Sequence, residues 1–153
     1  MKKILTLCLV VESKKILLGM KKRGWGEGRW NGFGGKVEEG ESIEEAAKRE
    51  LLEESGIYAS NLEKKGVVDF EYLDDGKLME VHIFKVCDYS GTIKESEEMV
   101  PQWFDVFEIP FDQMWPDDLH WLPVFLKGKN FKGKFVFENK DKIISHELEI
   151  LND

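Results

Sequence analysis

The sequence predicts a mixed α/β domain, and three features predict it. β-rich alternating runs stand towards both ends, one well-bounded helix lies between them, and no repeat or low-complexity segment interrupts the order of strands, helix, strands. A chain of 153 residues, 42% of them apolar, can bury roughly 70% of the surface its unfolded form exposes, so residues 1–153 are expected to share one core as a single domain.

The first two runs, residues 4–11 and 15–20, flank the polar turn Glu12-Ser13-Lys14 and form an expected hairpin. The leading run mimics a secretory signal, with Lys2 and Lys3 ahead of an apolar stretch. It ends at Glu12 without a small-residue cleavage site and is too short to span a bilayer, so it is expected to be the first strand. A glycine-dense stretch, residues 24–40, follows. Ser42 and Glu45 make a capping box and Gly56 a helix stop, which predicts a helix over residues 43–55 with Ile43, Ala46, Ala47, Leu51 and Leu52 on its packed face.

Residues 66–72 and 78–86 read as strands around the turn Asp74-Asp75-Gly76, and residues 99–104 as another. A second helix is expected from Asp117 or Asp118 through Lys127, with Pro123 near its beginning, where proline is tolerated. Residues 131–137 and 142–151 form a second expected hairpin around the turn at 138–141.

Charge and cysteine usage narrow the function classes. With 22 basic and 30 acidic residues the formal charge is −8, which disfavours a polymeric nucleic-acid partner, because such affinity comes from cations neutralising phosphates. A small anion held through metal ions stays open. Cys8 and Cys87, both in alternating apolar runs, suit reduced core thiols and a reducing compartment rather than a disulfide framework. No membrane segment is expected. His82, His120 and His146 have no metal-ligand spacing.

Glu50, Glu53 and Glu54 lie three and four residues apart, so a helix places them along one stripe. Two readings stand: a solvated acidic face, or hard oxygen ligands for Mg²⁺ or Mn²⁺ beside the backbone groups of the glycine-rich segment, which together make a metal-diphosphate site. No covalent intermediate is required, and neither cysteine is needed as a nucleophile.

Gly35, Glu41, Arg49, Glu50, Leu51, Glu53, Glu54, Gly56 and Ile57 fill every constrained position of the pattern G-x5-E-x7-R-E-U-x-E-E-x-G-U, where U is a bulky apolar residue. Chance agreement at its seven exact positions is on the order of one in ten million per window. The chain thereby resembles the Nudix family. The resemblance implies the Nudix fold, a mixed sheet sandwiched between helices, and hydrolysis of a nucleoside diphosphate linked to another moiety. It further implies that the Gly34 carbonyl, Glu50, Glu53 and Glu54 bind divalent metal, that Glu98 adds a ligand or helps to activate water, and that Arg49 orients the carboxylates. For Glu98, a charged turn formed with Glu95 and Glu97 is the other reading.

The resemblance is closer than the pattern. The stretches GMKKRGWGEGRWNGFGGKVEEGE and MWPDD, with the segment around Trp103 and Phe111, look like the animal branch of the family that hydrolyses oxidised purine nucleoside triphosphates. That branch implies a monomer acting on a small nucleotide in the cytoplasm, with the nucleus and mitochondria as further places. By the same resemblance Trp115 is a stacking wall, Asp117 and Asp118 read the base edge with Asn31, Thr6 and Lys21 hold further pocket positions, and Phe70 and Met79 line it. Phe33, Gly34, Gly35 and Lys36 are expected against the substrate too.

Adjacent carboxylates in a desolvated pocket resist ionising together, so the pair is expected to hold one proton between them. The competing account is that Pro116-Asp117-Asp118 only caps a helix. Trp25 stands where the close relatives are expected to carry phenylalanine. Two rival functions remain at this point: a Nudix hydrolase of another nucleotide, such as a dinucleoside polyphosphate or ADP-ribose, and a nucleotide-binding module without catalysis.

Overall fold

A computed structural model describes residues 2–151. In chain order these form β1 (Lys2–Glu12), β2 (Lys15–Lys21), β3 (Trp30–Asn31), α1 (Ile43–Ser55), β4 (Ile57–Tyr72), β5 (Lys77–Gly91), β6 (Met99–Asp105), α2 (Asp118–Leu126), β7 (Asn130–Asn139) and β8 (Lys142–Leu151), with a 3-10 turn at Phe111–Gln113. The strands make one eight-stranded sheet in the order β3-β2-β1-β5-β4-β7-β8, with β6 on β2. β1 pairs parallel with β5, and β4 with β7; the other ladders are antiparallel. This is the expected mixed sheet.

Alternation along the strands explains why the runs are nearly continuous in apolar residues. On β1, Leu9 packs with α2's Trp121, Leu122 and Phe125, while Cys8 and Val10 pack with α1's Ala47 and Leu51. The same division appears on β5, where Val81 and Ile83 face α2's side and Phe84 and Val86 face α1's. Each face needs its own helix, so the sheet lies between the two.

α1 begins and ends as the local chemistry predicts. The Ser42 hydroxyl accepts from the Glu45 N–H, the Glu45 carboxylate accepts from the Ser42 N–H, and Gly56 closes the helix at φ 84°, donating to the Leu52 carbonyl. Leu52 does not join the packed face; it is 47% exposed, because one residue past fully buried Leu51 the helix has turned by about 100°.

Other details differ from expectation. β4 begins at Ile57 and β5 continues to Gly91, because backbone pairing carries the ladder through the polar stretch, with irregularities at Ala59/Asn61, Asn61/Leu62 and Lys64/Gly66. Pro123 is the sixth residue of α2 rather than near its start. The carbonyl that it leaves without an N–H partner is that of Leu119, an exposed residue, where water can serve instead. Cys8 is buried, its thiol pushed up to about 12 by desolvation, but Cys87 is exposed on β5. His120 and His146, distant in sequence, meet with ring centroids 4.2 Å apart. No helix among the described residues is long and apolar enough to cross a membrane.

Removing one arm of the capping box tests how far α1 depends on it. Ser42→Ala is expected to cost about 1 kcal/mol. In a chain of this size the thermal midpoint should fall by about 2–4 °C, read by circular dichroism; an unchanged midpoint would mean that packing alone holds the helix start.

Candidate active site

A cavity of about 780 Å³ takes its lining from both helices and from the strands between them. Glu50, Glu53 and Glu54 enter from α1; Asp118 and Trp121 from α2; Leu5, Thr6 and Leu7 from β1; Phe70 and Tyr72 from β4; Met79, Val81 and Ile83 from β5. Lys21, Asn31, Gly34, Gly35, Lys36, Glu98, Trp115 and Asp117 complete the match to the expected site. Two expected residues lie outside the lining. Phe33, between the pocket-lining Gly32 and Gly34, packs fully buried with Cys8, Ala47 and Leu51, because alternation along an extended segment turns it to α1's face. Arg49 stands behind the carboxylates.

The glycine segment is held against β1 by bonds that also aim it. The Phe33 and Gly35 carbonyls accept from Cys8 N–H and Thr6 N–H at 2.6 and 2.9 Å, whereas the Gly34 N–H points the other way and donates to Glu54 Oε1 at 2.9 Å. The alternating peptide directions of an extended strand send the Gly34 carbonyl to the same side as that N–H. A side chain at Gly34 would collide with the Thr6 carbonyl, and a Cβ at Gly35 would lie 2.6 Å from the Glu50 carboxyl carbon. Only glycine lets the backbone approach these carboxylates so closely.

Glu50, Glu53, Glu54 and Glu98 share the cavity with this segment, each under different restraint. Glu54 is buried, and desolvation, reinforced by the negative charges of Glu50 and Glu98, outweighs the Gly34 hydrogen bond and Lys21 to push its pKa up to about 8. Burial also raises Glu50, against the pull of Arg49, which donates to Glu50 Oε1 at 2.8 Å and to exposed Glu53 at 3.3 Å. Arg49 is itself fixed by two bonds to Glu41, at 2.6 and 3.0 Å, and one to the Lys36 carbonyl, at 3.1 Å. Glu98 accepts from Lys21 at 2.9 Å and Arg23 at 3.0 Å, which hold its carboxyl below the ordinary range. Glu95 pairs with Lys22 and Glu97 with Arg23, so this is a charged turn, and Glu98 is also part of the cavity wall.

These restraints keep the carboxylates apart: among the described residues no three His, Cys, Asp or Glu side chains converge as a ready cation cage. The donor set nevertheless fits a hard divalent cation. It offers several carboxylates and a carbonyl, one acid buried at a cost that a cation would remove, and basic partners able to move to phosphate oxygens.

The other group of lining residues is aromatic and acidic. Trp115, 7% exposed, has Trp25 stacked on it with centroids 5.2 Å apart, and Arg29 over its ring at 4.3 Å. Trp25 also meets Tyr72 edge-on at 5.3 Å and carries the Lys77 ammonium 3.7 Å over its ring. Asp117 and Asp118 are 4% and 3% exposed and both line the cavity. Asp117 makes no side-chain cap bond; its Oδ2 accepts from the Trp121 indole N–H at 2.8 Å. Asp118 Oδ2 is buried with no hydrogen-bond partner among the described residues.

Burial raises both aspartate pKa values, and at Asp118 the negative charge of Asp117 adds to the rise. Asn31 uses its carbonyl on the Gly32 N–H at 2.9 Å, leaving its NH₂ to donate. Sequence reasoning missed Tyr72 and Arg29. Tyr72 was recoverable, being two residues from Phe70 on one strand. Arg29 was not, since its side-chain partners, the Lys140 carbonyl and Asp141, are 111 and 112 residues away.

Known proteins share this plan. A model of the NUDIX domain matches residues 1–125. Oxidized purine nucleoside triphosphate hydrolases of Danio rerio and Mus musculus are each 54% identical, over 99% and 95% of this chain and 97% and 94% of theirs. A crystal structure of a MutT protein from Bacillus halodurans superposes with a TM-score of 0.84 at 32% identity, covering 96% of this chain and 97% of that one. Hydrolases of this kind generally use a divalent metal, as the donor set around Gly34 and Glu54 anticipates. A glycine segment pinned to β1 by its neighbours' carbonyls and bonded to Glu54 of the adjoining helix is what the pattern of residues 35–57 encodes, and the chain belongs to the Nudix hydrolase family.

Proposed function

We propose that the protein hydrolyses oxidised purine nucleoside triphosphates, such as 8-oxo-dGTP and 2-oxo-dATP, to the monophosphate and pyrophosphate with Mg²⁺ as cofactor, Mn²⁺ being a substitute. The removal of such nucleotides before a polymerase uses them is its role. The observation that carries this reading is the buried Asp117–Asp118 pair, one oxygen unpartnered, in the same cavity as Glu50, Glu53 and Glu54. The zebrafish and mouse relatives, named for this activity and alike over almost the whole chain, support it.

Glu50, Glu53, Glu54, Glu98 and the Gly34 carbonyl would hold the metal. When bound, it neutralises phosphate oxygens and lowers the pKa of water. Lys21 and Arg23, released from Glu98, and Lys36 bind the phosphate chain, and Arg49 keeps Glu50 and Glu53 in register with Glu41. Water then attacks phosphorus in line, and the anhydride P–O bond to the departing phosphate group breaks. The purine stacks on Trp115, taking the place of the cavity-lining Trp25 ring that lies against it in this structure, in a contact worth about 1–3 kcal/mol, with Phe70, Tyr72 and Met79 as further walls.

One proton shared by Asp117 and Asp118 gives the pocket an acceptor and a donor at once. An oxidised base turns both towards the protein: 8-oxo-guanine and 2-oxo-adenine differ in where they donate and accept, and a mobile proton suits both. Thr6 and Asn31 border the same space. The protein acts as a monomer, with a small nucleotide as its partner, in the cytoplasm and also in the nucleus or mitochondria; its two free thiols suit a reducing compartment. Residues 1–153 work as one domain, in keeping with a sheet that continues into β7 and β8 beyond residue 125.

Steady-state hydrolysis of 8-oxo-dGTP and dGTP, with and without Mg²⁺ and with products separated by anion exchange, tests the reading. Metal-dependent release of 8-oxo-dGMP and pyrophosphate with preference for the oxidised base is expected; equal use of dGTP would discard the base pocket. Asp118→Asn should flatten the pH profile for the oxidised substrate, and an unaltered profile would sink the shared proton. Glu54 supplies a separate check. Its raised pKa means that the metal-free protein carries a proton there at neutral pH, and a cation must displace it. Apparent Mg²⁺ affinity should therefore rise by up to about tenfold per pH unit towards about pH 8 and level off above it. Calorimetry in buffers of different ionisation enthalpy measures the released proton, which Glu54→Gln should abolish.

A further inference from the structure

Arg29 carries a positive charge that the hydrolytic chemistry leaves unused. Its guanidinium sits 4.3 Å over the Trp115 ring, and Arg29 itself is not among the residues lining the cavity. Two bonds anchor it from the far end of the chain: Nη1 donates to the Lys140 carbonyl at 3.0 Å, and Nη2 pairs with Asp141, both in the turn between β7 and β8. That turn is shaped locally by the Asn139 side chain accepting from the Asp141 N–H at 2.9 Å. The backbone of Arg29 is tied as well, to Gly26 and to Lys21 of β2, each at 3.0 Å. A planar cation fixed at both ends is built to hold something in place.

We propose that Arg29 is a positioning residue for base recognition, holding the Trp115 ring in place with the C-terminal hairpin as its anchor. The proposal rests on the reading that Trp115, Asp117 and Asp118 form the base pocket. The guanidinium meets the Trp115 ring on one side and the β7–β8 turn on the other, so losing either contact loosens the wall.

Binding of 8-oxo-dGMP without metal, followed by tryptophan fluorescence, separates this role from hydrolysis. Arg29→Gln is expected to weaken binding at neutral pH by about tenfold, the scale of a partly desolvated cation–π contact. Arg29→Lys keeps a cation but not the fork, so affinity should be only partly restored. Asp141→Asn, which removes the anchor, should weaken binding in the same direction. In turnover all three should raise KM for 8-oxo-dGTP with kcat within a factor of about three.

Unchanged affinity in both Arg29→Gln and Asp141→Asn would overturn the bracing role. Should Arg29→Gln fail to fold by circular dichroism, Arg29→Lys and Asp141→Asn decide the matter by the same readout. Failure of the underlying base pocket has a different signature, namely wild-type protein that binds dGMP and 8-oxo-dGMP alike.

Discussion

Three acids that water scarcely reaches, Glu54, Asp117 and Asp118, constrain everything around them. An ionised carboxylate out of water is costly unless a donor or cation faces it. The structure answers each differently: a backbone N–H at Gly34 for Glu54, an indole N–H at Trp121 for Asp117, and for Asp118 the Trp115 backbone, with its Oδ2 left without a partner among the described residues. The incompleteness of these answers is where the chemistry lies. Glu54 is left to prefer a proton or a cation, and Asp118 is left with an oxygen for a ligand.

The sheet keeps the two kinds of chemistry separate yet adjacent. α1 covers one face and brings Glu50, Glu53 and Glu54; α2 covers the other and brings Asp118 and Trp121. Because side chains alternate along each strand, one set of strands serves both helices, and the cavity receives three carboxylates from one and a carboxylate and an indole from the other. Arg49 belongs to this division too. Its bonds to Glu41 and the Lys36 carbonyl tie α1 to the loop before it.

The C-terminal hairpin extends this arrangement beyond the part of the chain that the family model matches. β7 adds a parallel strand to β4, and Phe135 and Phe137 stack towards Phe70 and Tyr72 beneath the aromatic wall. Its turn reaches Arg29 and, through it, Trp115. Trp25 and Lys77 add a second aromatic and a second cation, so Trp115 sits within a ladder of rings and charges drawn from four separate stretches of chain.

What the sequence by itself determined were features whose physics is local or whose spacing is stringent. The capping box at Ser42 and Glu45, the stop at Gly56 and the stripe of Glu50, Glu53 and Glu54 depend on neighbours a few residues away, and helical geometry converts such spacing directly into position. Strand existence was legible from alternation; strand length was not, since β4 and β5 continue by backbone pairing that polar side chains do not announce. Only the tertiary structure decided that Phe33 faces the core, that Cys87 is exposed, that Asp117 spends an oxygen on Trp121 instead of capping, and that Arg29 meets a turn more than a hundred residues away. Each of those depends on which surfaces the sheet brings together, and burial, with the desolvation it imposes on a charge, is a property of that assembly and not of any short stretch of chain.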